Sequence, residues 1–252
     1  MTSQPTRVAI ITGAGRNIGR AIALRLARDG VAITVNVRES IDEGEATVAA
    51  IKAIGGQAIL VQADITKRDQ VDRMVAATLA RFGRIDILVN NAGIRKEVPF
   101  EQLDYATWRQ SLDVCLDGAM HCAQACLAAL KAADGGRHII NIGGLTAHTG
   151  GAERAHVITA KAGLVGLTRA LACELTPMGI TVNCVSPGMI DTVRVGTSAS
   201  AKPAHHAGRN MLTGRRGTAE EVAESVAWLT GPGGQYVTGQ VIHVNGGVYL
   251  GG

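Results

Sequence analysis

The chain has 252 residues, of which 46% are apolar and only 3% aromatic, and it contains 32 glycines. This length suits one α/β domain with a substantial core, and the composition favours a sheet packed by small and branched side chains with many tight turns. The formal net charge of +4 is modest and spread along the chain, which argues against nucleic-acid binding, and no apolar run reaches membrane length.

Apolar, β-rich segments alternate with amphipathic segments from one end of the chain to the other. Strands are predicted at residues 8–11, 32–37, 58–62, 87–90, 138–142, 181–186 and 240–244, and helices at 18–29, 42–54, 70–82, 105–132, 155–175 and 219–229. This alternation predicts right-handed βαβ units in a Rossmann doubly wound α/β fold, with a seven-stranded parallel sheet covered by helices on both faces. The whole chain, residues 1–252, is therefore predicted to form a single domain.

A glycine-rich turn, TGAGRNIG at residues 12–19, follows the first strand and opens the first helix. Glycines there let the backbone turn sharply and approach a pyrophosphate, whose charge is stabilised by the helix N-terminus. Asn17 stands where a third glycine is usual, and asparagine tolerates the left-handed backbone better than most residues. The strand–turn–helix context predicts a dinucleotide-binding site.

The end of the second strand predicts which dinucleotide is bound. An NAD site requires a carboxylate there for the ribose hydroxyls, but Val37 is followed by Arg38. Arg38, Arg16 and Ser40 are expected to surround a 2′-phosphate, because guanidinium geometry suits that anion. NADP(H) is therefore predicted. NAD(H) is the less favoured alternative. Glu39 would bind the ribose hydroxyls of NAD(H) if its carboxylate turned inward.

Further motifs follow in a fixed order along the chain. They are Asp64-Ile65 after the third strand, Asn90-Asn91-Ala92-Gly93 after the fourth, Lys161-Ala162-Gly163 on a long helix, PGMIDT at 187–192 and VTGQ at 237–240. Together with the glycine-rich turn they cover nearly the whole chain. The sequence resembles a short-chain dehydrogenase/reductase, close to the 3-oxoacyl-acyl-carrier-protein reductase branch of that family.

The resemblance implies a set of cofactor contacts and an assembly. Asp64 and Ile65 would flank the adenine, and Lys161 would bind the nicotinamide ribose. The other nucleotide contacts that it implies are Gly13, Arg16, Asn17, Ile18 and Gly19 at the first turn, Asn91, Ala92 and Gly93 after the fourth strand, and Pro187, Gly188, Ile190 and Thr192 at the nicotinamide carboxamide. The family is typically tetrameric, with helices 105–132 and 155–175 between subunits, so a homotetramer is expected.

The residues that carry out the family's chemistry are largely replaced in this chain. Family members reduce carbonyls with a serine, a tyrosine and a lysine, often joined by an asparagine; the tyrosine donates a proton while hydride arrives from the nicotinamide. At the serine, tyrosine and asparagine positions this chain carries Gly144, Val157 and Cys115, and only Lys161 remains. Loss of a positioned general acid costs roughly 10²–10⁴-fold in rate. The usual reaction by the usual route should therefore be very slow.

Candidate replacement proton donors lie near Gly144. His148 and Thr146 belong to the loop that follows it, which in the family lines the substrate pocket, and histidine titrates near neutrality. The alternative for His148 is an exposed loop histidine. Lys161 is a further candidate donor if burial lowers its pKa. His156 is expected to face a subunit contact. A C-terminal tyrosine, Tyr249, is a remote alternative, as a donor that reaches the site of a neighbouring subunit.

Residues 193–217 are predicted to form a substrate lid, because a long irregular segment in a compact domain is usually a lid or a binding segment. The basic and histidine side chains in it are Lys202, His205, His206, Arg209, Arg215 and Arg216. They suggest a small-molecule substrate that is anionic, which Arg95 and Lys96 would help to position. The alternative is a solvated surface insertion.

The sequence is compatible with three functions. The first is an NADP-dependent oxidoreductase with an atypical proton donor, the second a protein that binds NADP(H) without turnover, and the third a non-redox lyase or dehydratase that reuses the pocket.

The five cysteines form no CxxC pair and show no metal-like spacing, so no metal is expected, and Cys122 and Cys126 are expected to be small buried residues. An apolar strand begins almost at the N-terminus, leaving no room for a secretory signal, so a cytoplasmic location is expected.

Overall fold

The computed structural model describes residues 5–192 and 208–251. Seven strands form one parallel sheet in the order β3-β2-β1-β4-β5-β6-β7. Their bounds are β1 Val8–Ile11, β2 Ala32–Val37, β3 Ala58–Gln62, β4 Ile87–Asn90, β5 Arg137–Ile142, β6 Ile180–Pro187 and β7 Val241–Val244. The predicted doubly wound fold is confirmed, and every predicted strand lies within two residues of its observed bounds.

The helices cover both faces of this sheet. Their bounds are α1 Asn17–Arg28, α2 Ile41–Ala53, α3 Arg68–Phe82, α4 Tyr105–Leu112, α5 Gly118–Ala132, α6 Thr146–Thr149, α7 Ala155–Leu175 and α8 Ala219–Thr230. The prediction of one regular helix over 105–132 was wrong, because a π-helical turn at Asp113–Asp117 separates α4 from α5. Such turns widen a helix locally and are frequent at functional sites.

The core has two layers, one on each face of the sheet. Helices α1 and α8 pack on one face, where Leu26 and Val226 are completely buried. Helices α3, α5 and α7 cover the other face, where Cys122 and Cys126 are completely buried, as expected. Because both faces are covered, the central strands are continuous apolar runs.

A buried histidine lies at the start of β5, at the edge of the sheet opposite the carboxyl ends of the strands. The side chain of His138 is 1% exposed, and its Nδ1 atom is 2.8 Å from the hydroxyl of Thr181. The pKa of His138 is lowered to about 4, mainly by burial and also by the charge of Arg7, while Asp86 opposes the shift. His138 is therefore neutral in the folded protein near pH 7.

The predicted lid is described only in part, since residues 193–207 lie outside the described residues. Lys202, His205 and His206 are among those residues. From Gly208 onward the chain forms turns, and Gly217 makes a parallel bridge with Ile190. Among the helices that the structure describes, none combines the length and the apolar character that crossing a membrane requires.

Candidate functional site

The turn between β1 and α1 is closely packed against the turn that follows β4. Gly13 has φ +63° and Asn17 has φ 50°, so the left-handed conformation predicted for Asn17 is confirmed. A Cβ on Gly13 would lie 3.0 Å from the Cα of Ala92, and a Cβ on Gly19 would collide with the carbonyl oxygen of Gly13. Only glycine therefore permits this close approach of two backbones at the N-terminus of α1.

Hydrogen bonds lock these two turns together. The hydroxyl of Thr12 accepts hydrogen bonds from the backbone N–H groups of Asn91 and Ala92, each at 3.0 Å. The side-chain amide of Asn91 donates to the carbonyl oxygens of Thr12 at 2.9 Å and Gly13 at 3.0 Å. The amide of Asn91 is thus used to hold the cradle, and the side chain of Ile18 is buried in the core beneath it.

A polar cavity of about 480 Å³ opens beside the ends of β2 and β3. Its lining residues are Arg38, Glu39, Gln62, Asp64, Gln70 and Arg73. The guanidinium of Arg38 pairs with the carboxylate of Glu39 at 2.9 Å, and that of Arg16 pairs with Glu43 at 3.3 Å. All four side chains are at least one-third exposed, so solvent screens both pairs.

Two glutamines fix the loops on either side of this cavity, and the sequence analysis did not identify them. The amide of Gln62 donates to the carbonyl oxygen of Arg38 at 2.9 Å, and the amide oxygen of Gln70 accepts from the backbone N–H of Asp64 at 2.8 Å. One carboxylate oxygen of Asp64 accepts hydrogen bonds from the backbone and the hydroxyl of Thr66. Ile65 is buried beside α5, and Ser40 lies exposed at the start of α2.

The loop after β6 closes the cradle on its other side. The backbone of Gly188 donates to the carbonyl oxygen of Val244 at 2.8 Å, and the carbonyl oxygen of Pro187 accepts from Leu145 at 3.0 Å. Arg95 reaches the hydroxyl of Thr192 at 3.2 Å. The loops that follow β4, β5 and β6 are therefore joined at one edge of the sheet. In open α/β sheets this edge is where ligands bind.

Lys161 lies on α7, one turn after Val157. Its ammonium group donates to the carbonyl oxygen of Ile142 at 2.5 Å. Val157 is 2% exposed and offers no polar atom, and a Cβ built on Gly144 would have no atom within 4 Å. Open space thus remains where the resemblance places a serine, and an apolar side chain stands where it places a tyrosine.

Cys115 lies in the π-helical turn and contacts the glycine that follows β4. Its Sγ atom accepts a hydrogen bond from the backbone of Ile94 at 3.4 Å. A Cβ on Gly93 would lie 3.5 Å from both the Sγ of Cys115 and the Nζ of Lys161. The turn is held by Arg109, which pairs with Asp113 at 2.6 Å and with Asp117 at 2.9 Å.

The two candidates on the loop after β5 belong to the short helix α6. Thr146 is its first residue and is 8% exposed. His148 is half-buried, with its ring centroid 4.6 Å from that of His243 on β7 and 5.7 Å from that of Tyr249 near the C-terminus. Burial lowers the pKa of His148, and the charge of Arg169 lowers it further. This ring cluster was not predictable from the sequence, because its members come from separate segments.

The expectation that His156 faces a subunit contact was wrong. His156 is completely buried within the chain, so its side chain has no exposed surface for a subunit contact. Its pKa is lowered by burial and, to a smaller extent, by the charge of Arg154. Tyr249 packs against His148 of its own chain.

The described part of the predicted lid binds α6 and the loop after β6. Arg209 donates to the hydroxyl of Thr149 at 2.7 Å and to the carbonyl oxygen of Gly150 at 2.8 Å. Arg216 pairs with Asp191 at 2.6 Å, and Arg215 pairs with Glu221 at the start of α8. Within residues 5–192 and 208–251, no group of three or more metal-ligating side chains could hold a metal ion.

Known proteins resemble this chain over almost all of its length. A family profile described as Enoyl-(Acyl carrier protein) reductase matches residues 13–249. A 3-oxoacyl-[acyl-carrier-protein] reductase from Synechocystis is 39% identical over 251 residues, covering 99% of this chain and 100% of that protein. The short-chain reductase protein NovJ from Streptomyces niveus is 39% identical over 246 residues, covering 95% of this chain and 93% of that protein.

Solved structures match the fold equally well. A short-chain dehydrogenase from Burkholderia cenocepacia, in complex with NADP, has a TM-score of 0.88 and 34% identity, covering 98% of this chain and 99% of that one. A dehydrogenase/reductase from Sinorhizobium meliloti has a TM-score of 0.89 and 34% identity, covering 98% of this chain and 96% of that one. From its fold, its glycine-rich cradle and these matches, we conclude that the chain belongs to the short-chain dehydrogenase/reductase family of oxidoreductases.

Proposed function

We propose that the protein is an NADP(H)-dependent oxidoreductase that interconverts a carbonyl compound and its alcohol with a proton donor other than tyrosine. The observation that carries the proposal is the combination of an intact cradle with Lys161 beneath an open space at Gly144. Gly13, Gly19 and Asn91 maintain a backbone approach that serves no evident purpose without a nucleotide phosphate. The NADP complex of the Burkholderia relative supports the choice of ligand class.

The residues around the polar cavity fit a phosphorylated ribose. Among the described residues, Arg38 pairs with the exposed Glu39 and Arg16 with the partly exposed Glu43, and such solvent-screened ion pairs contribute about 0–1 kcal/mol each. A 2′-phosphate can therefore replace Glu39 and Glu43 as the partner of both guanidinium groups at little cost. The free oxygen of Asp64 remains available to the adenine, since only its Oδ1 atom is held by Thr66.

When bound, the nicotinamide would supply or accept a hydride at the carbon of the substrate. Lys161, near Gly93 and the end of β5, would hold the nicotinamide ribose. Pro187, Gly188, Ile190 and Thr192 would hold the carboxamide. His148 would give the proton to the carbonyl oxygen, with Thr146 beside it on α6.

The substrate is proposed to be a small anionic carbonyl compound. Arg95 bridges to the loop after β6, and Arg209 bridges to α6, so guanidinium groups approach the same edge of the sheet from two loops. Lys96 follows Arg95 on the loop after β4. Cations placed around a concave site raise the local concentration of an anionic substrate.

Purified protein with NADPH should oxidise the nucleotide in the presence of keto acids or β-keto esters, at a rate limited by the replaced proton donor. The measurement is loss of nicotinamide absorbance together with product formation, alongside calorimetric titration of the nucleotide. Tight nucleotide binding without turnover of any carbonyl compound would support the alternative of a protein that binds NADP(H) without catalysis. Substrate consumption without any absorbance change would identify the non-redox alternative.

Arg38→Gln should weaken NADPH binding by roughly 10–100-fold and leave NADH binding unchanged, because a charge-assisted hydrogen bond to phosphate contributes about 1.5–3 kcal/mol. Calorimetry with both nucleotides measures this selectivity. The matched control is Arg28→Gln, which removes the same charge from the exposed end of α1. An equal loss for both nucleotides would mean that Arg38 only supports the shape of the loop.

A homotetramer is the proposed assembly. On the helices that the family packs between subunits, Tyr105 is 75% exposed and Met120 is 38% exposed in the single chain. Burying such large apolar side chains against another subunit would stabilise the assembly. Light scattering of the purified protein should give about four times the chain mass of 26.1 kDa, and a monomeric mass would contradict the proposal.

A further inference from the structure

A polar cluster lies where β6, β7, α6 and the C-terminal segment meet. Ser186 on β6 and His243 on β7 are register partners in parallel strands, so their side chains project from the same face of the sheet. The ring of His148 on α6 stands edge-on to that of His243, at 4.6 Å and 80°. Tyr249 contacts both, with its ring centroid 5.0 Å from that of His243.

Three enclosed polar atoms of this cluster have no hydrogen-bond partner among the described residues. They are the Oγ atom of Ser186, the Nε2 atom of His148 and the Nδ1 atom of His243. Ser186 is completely buried. Buried polar atoms are normally paired, and unpaired ones concentrate where a proton, a water molecule or a ligand is exchanged. Here they come from three neighbouring elements: Ser186 is the register partner of His243, and the ring of His243 contacts that of His148.

The charges around the cluster disfavour two protons on the histidine pair. Arg169 faces His148 from α7, and Arg209 binds the end of α6. Tyr249 contacts both rings, and Ser186 is the register partner of His243 on the neighbouring strand. Burial lowers the pKa of His243, and the charge of His148 lowers it further. Two imidazolium rings in contact would repel each other strongly at this separation, so the second proton binds much more weakly than the first.

We propose that His148 and His243 act as a coupled pair that binds no more than one proton, carried by either ring, and that this pair is the proton source of the site. The inference rests on the proposed function. In the reduction, the pair would give its proton through His148 to the carbonyl oxygen of a substrate whose carbonyl carbon takes up the hydride that a bound nicotinamide nucleotide would supply. The pair is then neutral, and it regains a proton from water through His243. The reverse steps apply when the alcohol is oxidised.

The shared proton is tested by NMR titration of the histidine rings, which does not depend on activity. In the wild-type protein, His148 and His243 should titrate together in two steps separated by more than one pH unit. His243→Phe keeps a ring in the cluster but removes the coupling, so His148 should then titrate in a single step at higher pH. The matched control Tyr249→Phe keeps both imidazoles and should preserve the two steps. Independent single steps in the wild-type protein would overturn the inference.

The role of the pair in catalysis is tested by the pH dependence of kcat. His243→Phe should lower kcat by roughly tenfold or more and shift the pH profile of kcat toward that of His148 alone, without changing the KM for NADPH. His148→Gln should lower kcat more, by roughly 10²–10⁴-fold. An unchanged pH profile in His243→Phe would overturn the catalytic role even if the protons are shared. If the wild-type protein shows no turnover at all, the proposed function fails, and the titration then reports separately on the sharing of the proton.

Discussion

The double variant Gly144→Ser with Val157→Tyr should reduce carbonyl substrates roughly 10²–10⁴-fold faster than the wild-type protein, because it adds a positioned general acid and a polarising hydroxyl. The site has open space for the serine and a lysine placed to act on the tyrosine. A Cβ on Gly144 meets no atom within 4 Å, so a serine can be added without displacing a neighbour. Position 157 precedes Lys161 by one helical turn, which brings a tyrosine hydroxyl near the ammonium group that lowers its pKa.

The principal risk for this variant is overpacking, since Val157 is only 2% exposed and a larger side chain costs typically 1–3 kcal/mol in a filled core. The matched control is therefore Gly144→Ser with Val157→Phe, which has nearly the same volume but lacks the hydroxyl. Thermal unfolding and NADPH affinity show whether both variants keep the fold. Rates measured at several pH values should rise only in the tyrosine variant. Equal rates in the two variants would mean that the site lacks something besides the hydroxyl groups.

The stability of the wild-type protein should fall as the pH decreases from 6.5 to 4, because His138 is buried in its neutral form. Its pKa is lowered from 6.5 to about 4 by burial, with a smaller contribution from the charge of Arg7. Between pH 6.5 and 4, His138 is protonated in the unfolded chain but stays neutral in the folded protein. The stabilisation present above pH 6.5 is therefore lost as the pH falls toward 4, and the shift corresponds to about 3 kcal/mol.

Urea unfolding at pH 7 and at pH 4 measures this loss. In His138→Gln the free energy of unfolding should fall by about 3 kcal/mol less over that range than in the wild-type protein, since glutamine does not titrate. Thr181→Val is the matched control, because it removes the hydroxyl that contacts Nδ1 of His138 but keeps the titrating ring. That control should retain the wild-type pH dependence. The same loss in His138→Gln as in the wild-type protein would refute the assignment.

The glycine-rich turn and the strand pattern were predictable because their physical causes are local. The alternation of apolar and amphipathic segments predicted all seven strands and the doubly wound order. The left-handed backbone at Asn17 followed from the tolerance of asparagine for that conformation. The π-helical turn at Asp113–Asp117 was not predictable in this way, since the same residues also suit a regular helix. Its one extra residue per turn depends on contacts such as those of Arg109 with Asp113 and Asp117.

The amino-acid sequence by itself therefore determined the sheet, the glycine-rich turn and the presence of Gly144 and Val157 where the family resemblance places a serine and a tyrosine. These features depend on side-chain type and spacing within short segments. Only the tertiary structure decided that His148 meets His243 and Tyr249, and that Ser186 lies beside them with an unpaired hydroxyl. The physical reason is that strand register and loop packing join residues far apart in the chain, and neither is encoded by the local pattern around any one of them.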